Sequence, residues 1–176
     1  NKLLITEKKS SLLPKQPSTD LIIYVPSDYT FEEISIENGT GRLDIDYIKT
    51  NELELELGAG KVSINKLNVY KESSIDSGAG EIIIDNGIVN SLDFDMGIGK
   101  VELNLKITGK SEIDAGIGDM KLNLLGTNDD YKLNVSKGIG KVKIDNQDVT
   151  DGTIYGNGEN TINISGGIGN ITINYN

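Results

Sequence analysis

Apolar and polar residues alternate along most of the chain, in short runs interrupted by a recurring pair of glycines. A Gly-x-Gly pair begins at Gly39, Gly58, Gly78, Gly97, Gly116, Gly138 and Gly167, at intervals of 19, 20, 19, 19, 22 and 29 residues. No segment keeps the 3.6-residue period of a helix. The pattern therefore predicts a strand on each side of every glycine pair.

The alternation changes parity at the pair. In LDFDMGIGKVEL, residues 92–103, the apolar positions up to Ile98 share one parity, whereas Val101 and Leu103 have the other. We therefore expect Ile98 to face the core and the chain to bend between Ile98 and Val101, as glycine permits. The glycines assigned to these structural corners are Gly39, Gly41, Gly58, Gly60, Gly78, Gly80, Gly97, Gly99, Gly116, Gly118, Gly138, Gly140, Gly167 and Gly169.

A unit of strand, corner and strand cannot bury its apolar face alone, but stacked units share one core. The predicted fold is all-β, a single-stranded β-helix (β-solenoid) of about seven layers with a repeat of about 19–20 residues, covering residues 21–176. The longer intervals are expected to be loops, around residues 126–130 and 149–160. Residues 1–20 hold two of the three prolines and are predicted to be a linker or tether.

Two polar columns follow each glycine pair and are interpreted as structural. The first lies seven residues after the first glycine, where an amide or carboxylate favours a second corner and a ladder between layers. Its members are Asp46, Asn65, Asp85, Asn104, Asn123, Asp145 and Asn174. The second alternates in sign from Lys61 to Lys141, which predicts attraction between successive layers. It comprises Arg42, Lys61, Glu81, Lys100, Asp119, Lys141 and Asn170.

A further pair of outward columns is acidic over the first five repeats. We name this surface the acidic face: Glu37, Glu54, Glu56, Asp76, Asp93, Asp95, Glu112 and Asp114. One interpretation is a solvated surface that keeps the protein soluble and blocks lateral pairing. The other is a binding face, because arrays of carboxylates suit Ca²⁺ and attract an extended cationic peptide or polymer. The pattern leaves both open.

The composition excludes several classes of function. The chain has no Cys and no His, so disulfides, thiolate metal sites and Ser–His–Asp or Cys–His catalysis are excluded. Its net charge is −10 without a basic stripe, which argues against nucleic acid as a partner. Gly97-Ile98-Gly99-Lys100 is no nucleotide loop, because a dinucleotide fingerprint needs a third glycine and a P-loop needs Ser or Thr where Val101 stands. We predict no catalytic residue, no firm metal ligand and no cofactor, with Ca²⁺ as the one candidate ion.

The repeats resemble a known family. Residues 21–176 are similar to adhesin-type β-repeat domains, a domain-of-unknown-function family of bacterial cell-envelope proteins. The segments that carry the resemblance are VPSDYTFEEISIENGTGRLDI, LELELGAGKVSI, IDSGAGEIIID and GENTINISGGIGNITINY. The resemblance implies a single-stranded β-helix carried outside the cell behind a membrane anchor. It also implies kinship with envelope-stress systems that respond to cell-wall antibiotics and cationic peptides. No catalytic residue carries over.

These observations predict a non-enzymatic, extracellular or cell-envelope module that binds an envelope or surface ligand, or acts as a scaffold. Since the chain begins with Asn, tethering through a missing N-terminal segment is expected. The alternatives are a purely structural spacer and a carbohydrate-active β-helix enzyme. The first and last layers are expected to expose strand edges, so end-to-end self-association is a further expectation, with Leu21–Val25 as a candidate cap at one end.

Overall fold

The computed structural model describes residues 21–176, and this part of the chain forms one curled, mainly parallel sheet around an apolar core. The linker predicted for residues 1–20 lies outside the described residues. The strands are β1 (Phe31–Ile84), β2 (Gly87–Asn90), β3 (Leu92–Thr108), β4 (Lys110–Asp114), β5 (Ile117–Leu124), β6 (Tyr131–Ser136), β7 (Ile139–Ile144), β8 (Gln147–Asp148), β9 (Ile154–Tyr155), β10 (Asn160–Ser165) and β11 (Ile168–Tyr175). A short 3₁₀ helix spans Asn128–Asp130. The all-β prediction is confirmed.

The strands pair in the register that the repeat predicts. In the parallel pairing of β1 with β3, Ile75 lies opposite Phe94, and the next pairing sets Phe94 opposite Ile113. All three side chains are fully buried. Because the offset equals one repeat, each apolar column of the sequence becomes a continuous stripe of the core.

A third run of strand closes the core over several repeats. The return segment of β1 pairs with β2, which pairs in turn with the end of β3. Val69, Val89 and Ile107 align across these three segments, and each is at most 1% exposed. The segments that connect one repeat to the next are therefore also strands in these repeats.

The repeats do not stack in chain order at the C-terminal end. Numbered by their glycine pairs, the fifth, sixth and seventh repeats begin their corners at Gly116, Gly138 and Gly167. β11 of the seventh repeat pairs with β5 of the fifth on one side and with β7 of the sixth on the other. β10 lies in the same way between β4 and β6. The final repeat is thus inserted between its two predecessors.

This insertion corrects the predicted alternation of charge. We expected Lys141 to lie beside Asp119, but Asn170 occupies the rung between them. The alternation assumed that consecutive repeats are neighbours in space. The connection of residues 145–159 is long enough to carry the last repeat past the sixth.

The same connection, which includes the loop predicted around residues 149–160, covers the far edge of the sixth repeat. β8 pairs antiparallel with β7, and β9 pairs antiparallel with β6. Short antiparallel segments of this kind protect an edge from further strand addition. At the opposite end, Leu21–Val25 is exposed and belongs to no strand, so within the described residues it does not cap the first repeat.

The glycine pairs bring neighbouring backbones into close contact. A Cβ atom on Gly97 would lie 1.9 Å from the carbonyl oxygen of Gly78, and one on Gly99 would lie 1.8 Å from that of Gly80. Gly99 also has a φ of +148°, which side chains rarely allow. The chain turns within the pair itself, so Ile98 points outward and is 58% exposed. The prediction that Ile98 faces the core is wrong.

We expect Gly97→Ala to lower the free energy of unfolding by about 3 kcal/mol, because its Cβ would clash with a backbone carbonyl that cannot move alone. Gly39→Ala is the matched control. It occupies the same column, but a Cβ there meets nothing within 4 Å, and its cost should stay within about 0.5 kcal/mol. Denaturant unfolding of both variants measures the difference. Equal losses would show that the corner does not depend on contact between layers.

Candidate binding face

The eight carboxylates of the acidic face are all exposed, and the strand register places them in two neighbouring columns. Asp76, Asp95 and Asp114 align on successive repeats, and Asp93 aligns with Glu112. Glu37, Glu54 and Glu56 hold the equivalent positions of the first two repeats, within β1. Successive rungs of a parallel sheet lie about 4.8 Å apart. Five repeats therefore carry like charges over about 19 Å.

The charge ends where the last two rungs begin. Ser165 lies beside Asp114, and Ser136 lies beside Ser165. In the adjacent column the amide of Asn134 donates a hydrogen bond of 2.7 Å to the side-chain oxygen of Asn163. The acidic face is therefore a bounded patch that passes into a neutral, hydrogen-bonded surface.

The carboxylates of this face form no ion pair among the described residues. Other acids of residues 21–176 do: Lys61 bonds Glu81 at 2.8 Å, and Lys71 bonds Glu32 at 2.6 Å. Lysines are thus available on the protein surface but are placed in other columns. The field of the acidic face remains uncompensated by the described part of the chain.

Asp95 lies in the centre of the patch, and its pKa reflects these surroundings. Partial burial raises the pKa of Asp95, and the neighbouring charges of Asp114, Asp76 and Asp93 raise it further. Both effects disfavour the charged carboxylate. The charged carboxylate of Asp95 therefore opposes folding at neutral pH, and a cation beside it would stabilise the folded state.

Metal ligands and cavities are the other features of the described residues that bear on function. In residues 21–176 no group of three or more acidic side chains is arranged to hold a metal ion. Two clefts of about 10 Å³ each lie beside the glycine corners, one between Leu57 and Ile82 and one between Ala115 and Ile171. That is room for about one water molecule. No helix in the described residues is long and apolar enough to cross a membrane.

The two columns interpreted as structural do bond between layers. The amide of Asn65 donates to the carboxylate of Asp46 at 3.1 Å, and that of Asn174 donates to Asn123 at 2.8 Å. Asn123 continues the ladder by donating to Asn104. In the charged column Glu81 lies between Lys61 and Lys100, at 2.8 and 4.0 Å. These contacts fix the register that aligns the acidic face.

Sequence reasoning missed one surface, a ridge of four isoleucines between the paired glycines. Ile98, Ile117, Ile168 and Ile139 align on successive rungs and are 47–73% exposed. Counting alternation alone assigned the column to the core. The signal that could have found it is the glycine on each side, because a turn confined to three residues must point its central side chain away from the core.

Comparison with known proteins places the chain in a family. The family model described as Toastrack DUF4097 matches residues 5–174. The match begins inside the segment predicted to be a linker. No curated protein and no solved structure matches the chain significantly.

We expect Asp95→Asn to raise the melting temperature at pH 7 by about 1–2 °C, because it removes a charge that the fold disfavours. Since the pKa of Asp95 is raised by folding, its contribution favours the folded state at low pH and is lost as the pH rises through the folded value. The gain should therefore shrink as the pH falls and be largely lost below the ordinary Asp pKa of about 3.9, where the carboxyl becomes protonated in both the folded and the unfolded state. Calorimetry at pH 3 and pH 7 tests this. A gain that persists unchanged at pH 3 would contradict the electrostatic explanation.

Proposed function

The chain belongs to the Toastrack DUF4097 family of domains of unknown function, and from that premise we propose that it is a non-enzymatic binding or scaffolding module. Its acidic face binds an extended polycation, such as a lysine-rich peptide. The observation that carries the proposal is the row of aligned, exposed carboxylates that lack an ion-pair partner among residues 21–176. A polycation supplies the missing positive charges.

The arrangement favours a polycation over a single bound metal ion. Ca²⁺ takes six to eight oxygen ligands converging on one point. The described carboxylates are spread along a column, and no group of three converges in this way. A chain carrying several positive charges meets successive rungs, and its electrostatic attraction sums along the patch. Ca²⁺ remains the second ligand class to test.

Two features argue for a non-enzymatic role. The chain contains neither His nor Cys, and the acids lie in even columns on the strand surface. A glycoside hydrolase instead sets two carboxylic groups about 5–9.5 Å apart across a bound sugar. A purely structural spacer is the second candidate, and the amide ladder from Asn174 to Asn104 favours it because it stiffens the stack.

We also propose a more detailed description of the fold. We regard the curled sheet as a single-stranded β-solenoid of seven layers. The constant register of one repeat between β1, β3 and β5 supports this. A stack of this kind holds charged columns straight over many rungs, which suits an extended ligand.

The proposed setting is the bacterial cell envelope or the extracellular space, with the module tethered through an N-terminal segment, as an adhesin-type domain would be. The resemblance of residues 21–176 to envelope β-repeat domains supports this setting. An acidic face exposed there would meet cationic peptides directly.

Binding of a ten-residue polylysine peptide tests the proposal. We expect the set Glu56→Gln, Asp76→Asn, Asp95→Asn and Asp114→Asn to weaken binding at least tenfold at low salt, because it removes half of the acidic face. The control set Asp28→Asn, Asp129→Asn, Asp148→Asn and Glu159→Gln removes the same total charge from exposed positions elsewhere. It should retain most of the affinity. Calorimetric titration at two salt concentrations measures both sets.

If the two sets weaken peptide binding equally, the affinity depends only on the net charge of the protein. That result would favour the structural spacer over a binding face. The same variants titrated with Ca²⁺, with and without chelator, separate the two ligand classes. Binding of Ca²⁺ would raise the melting temperature more than NaCl does at equal ionic strength. If the substitutions on the acidic face abolish that rise, the ligand of the face is the ion and not a polycation.

A further inference from the structure

The seventh repeat occupies a slot whose two walls are the fifth and sixth repeats. The amide of Ile168 donates to the carbonyl of Gly116 at 2.8 Å, and the amide of Ile139 donates to the carbonyl of Gly167 at 2.7 Å. β11 therefore bonds along both of its edges. Removing this repeat would leave two strand edges unpaired within the sheet.

The walls recognise the seventh repeat through side chains as well. The amide of Asn170 donates to Asp119 at 3.0 Å, and that of Asn174 donates to Asn123 at 2.8 Å, both in the fifth repeat. On the sixth-repeat side, Asn163 accepts the 2.7 Å bond from Asn134. Each of these contacts joins residues at least 29 positions apart in the chain. An identical repeat from another molecule would make the same contacts.

The connection between the sixth and seventh repeats is long and lies on the outer edge of the sheet. It comprises residues 145–159, which extended would reach about 50 Å. Two short antiparallel pairings, those of β8 and β9, hold it to the sixth repeat. The amide of Gly152 also donates to the carbonyl of Val135 at 3.1 Å, the amide of Lys137 donates to the carboxylate of Asp151 at 2.6 Å, and Val149 is buried, so opening breaks these local contacts as well. Gly152 and Gly156 have φ of +71° and +75°, so the connection contains two points of easy backbone rearrangement.

The fifth and sixth repeats also complement each other without the inserted strand. Asp119 and Lys141 carry opposite charges and are held apart only by the rung of Asn170. Ile117 and Ile139 occupy the same corner position on either side of the slot. Direct stacking of the sixth repeat on the fifth would pair these residues, so an opened molecule can shield both walls until a new strand arrives.

We propose that this slot is a strand-exchange site whose partner is a second copy of the chain. The seventh repeat of each molecule enters the slot of the other, and the reciprocal exchange closes a two-fold dimer. Exchange of an identical element preserves every contact of the seventh repeat with its slot and is a low-cost route to association. The capped edge of the sixth repeat prevents further growth at that end of the stack.

Disulfide trapping tests the exchange directly, because the natural chain contains no Cys. Two single variants, Asp119→Cys and Asn170→Cys, are unfolded together, refolded at high protein concentration and oxidised. Residues 119 and 170 face each other on adjacent rungs, within the Cα separation that a disulfide spans. Exchange predicts a covalent heterodimer of twice the 19.0 kDa chain mass.

Lys100→Cys mixed with Asn170→Cys is the matched control. Lys100 is exposed in the same column but lies beside Asp119, two rungs from Asn170. We expect at least tenfold less heterodimer from this mixture. Equal yields from the two mixtures would reflect random collision and would overturn the proposal, as would the absence of heterodimer from both.

The double variant Asp119→Cys/Asn170→Cys calibrates the readout. In dilute solution it should form an intramolecular disulfide, which shows that the pair is oxidisable in the folded molecule. Failure to do so would refute the register on which the slot depends, and with it the exchange.

Discussion

The close approach of glycine backbones at each corner is the constraint on which the rest of the structure depends. At Gly99 the space for a Cβ is taken by the carbonyl oxygen of Gly80, 1.8 Å away. Six of the seven corners meet a neighbouring backbone in this way, and all seven turn the chain at the same position on every rung. Because the turns superpose, the strands between them stay in register, and each column of side chains runs straight through the stack.

Because the columns are straight, each position of the repeat forms one continuous stripe of the core or of the surface. Inward columns merge into one core, in which Ile75, Phe94 and Ile113 are fully buried. In some outward columns opposite charges pair between layers, as Lys61, Glu81 and Lys100 do. In others like charges lie beside each other, as around Asp95. The accumulated charge destabilises the fold locally. A surface that raises the energy of its own molecule is well placed to gain from a ligand of opposite charge.

The sequence predicts the strands, the corners and the alignment of the acidic columns, because side-chain periodicity and glycine spacing encode them directly. It does not predict the order of the last layers. Ile117, Ile139 and Ile168 are the same residue at the same position of three repeats, so each neighbour fits equally well by type. The outward direction of Ile98 was also missed, because alternation assumes an extended strand through a residue where the backbone turns. The ligand of the acidic face is not encoded by charge alone, since a solvated surface and a binding surface use the same residues.

The central claim is that glycine corners stack backbone on backbone, with the seventh repeat between the fifth and the sixth. Nuclear Overhauser contacts between backbone protons of the corner glycines test it most directly. The account predicts contacts between Gly118 and Gly169 and between Gly169 and Gly140. Contacts between Gly118 and Gly140 in the folded monomer, with Gly169 remote from both, would contradict it.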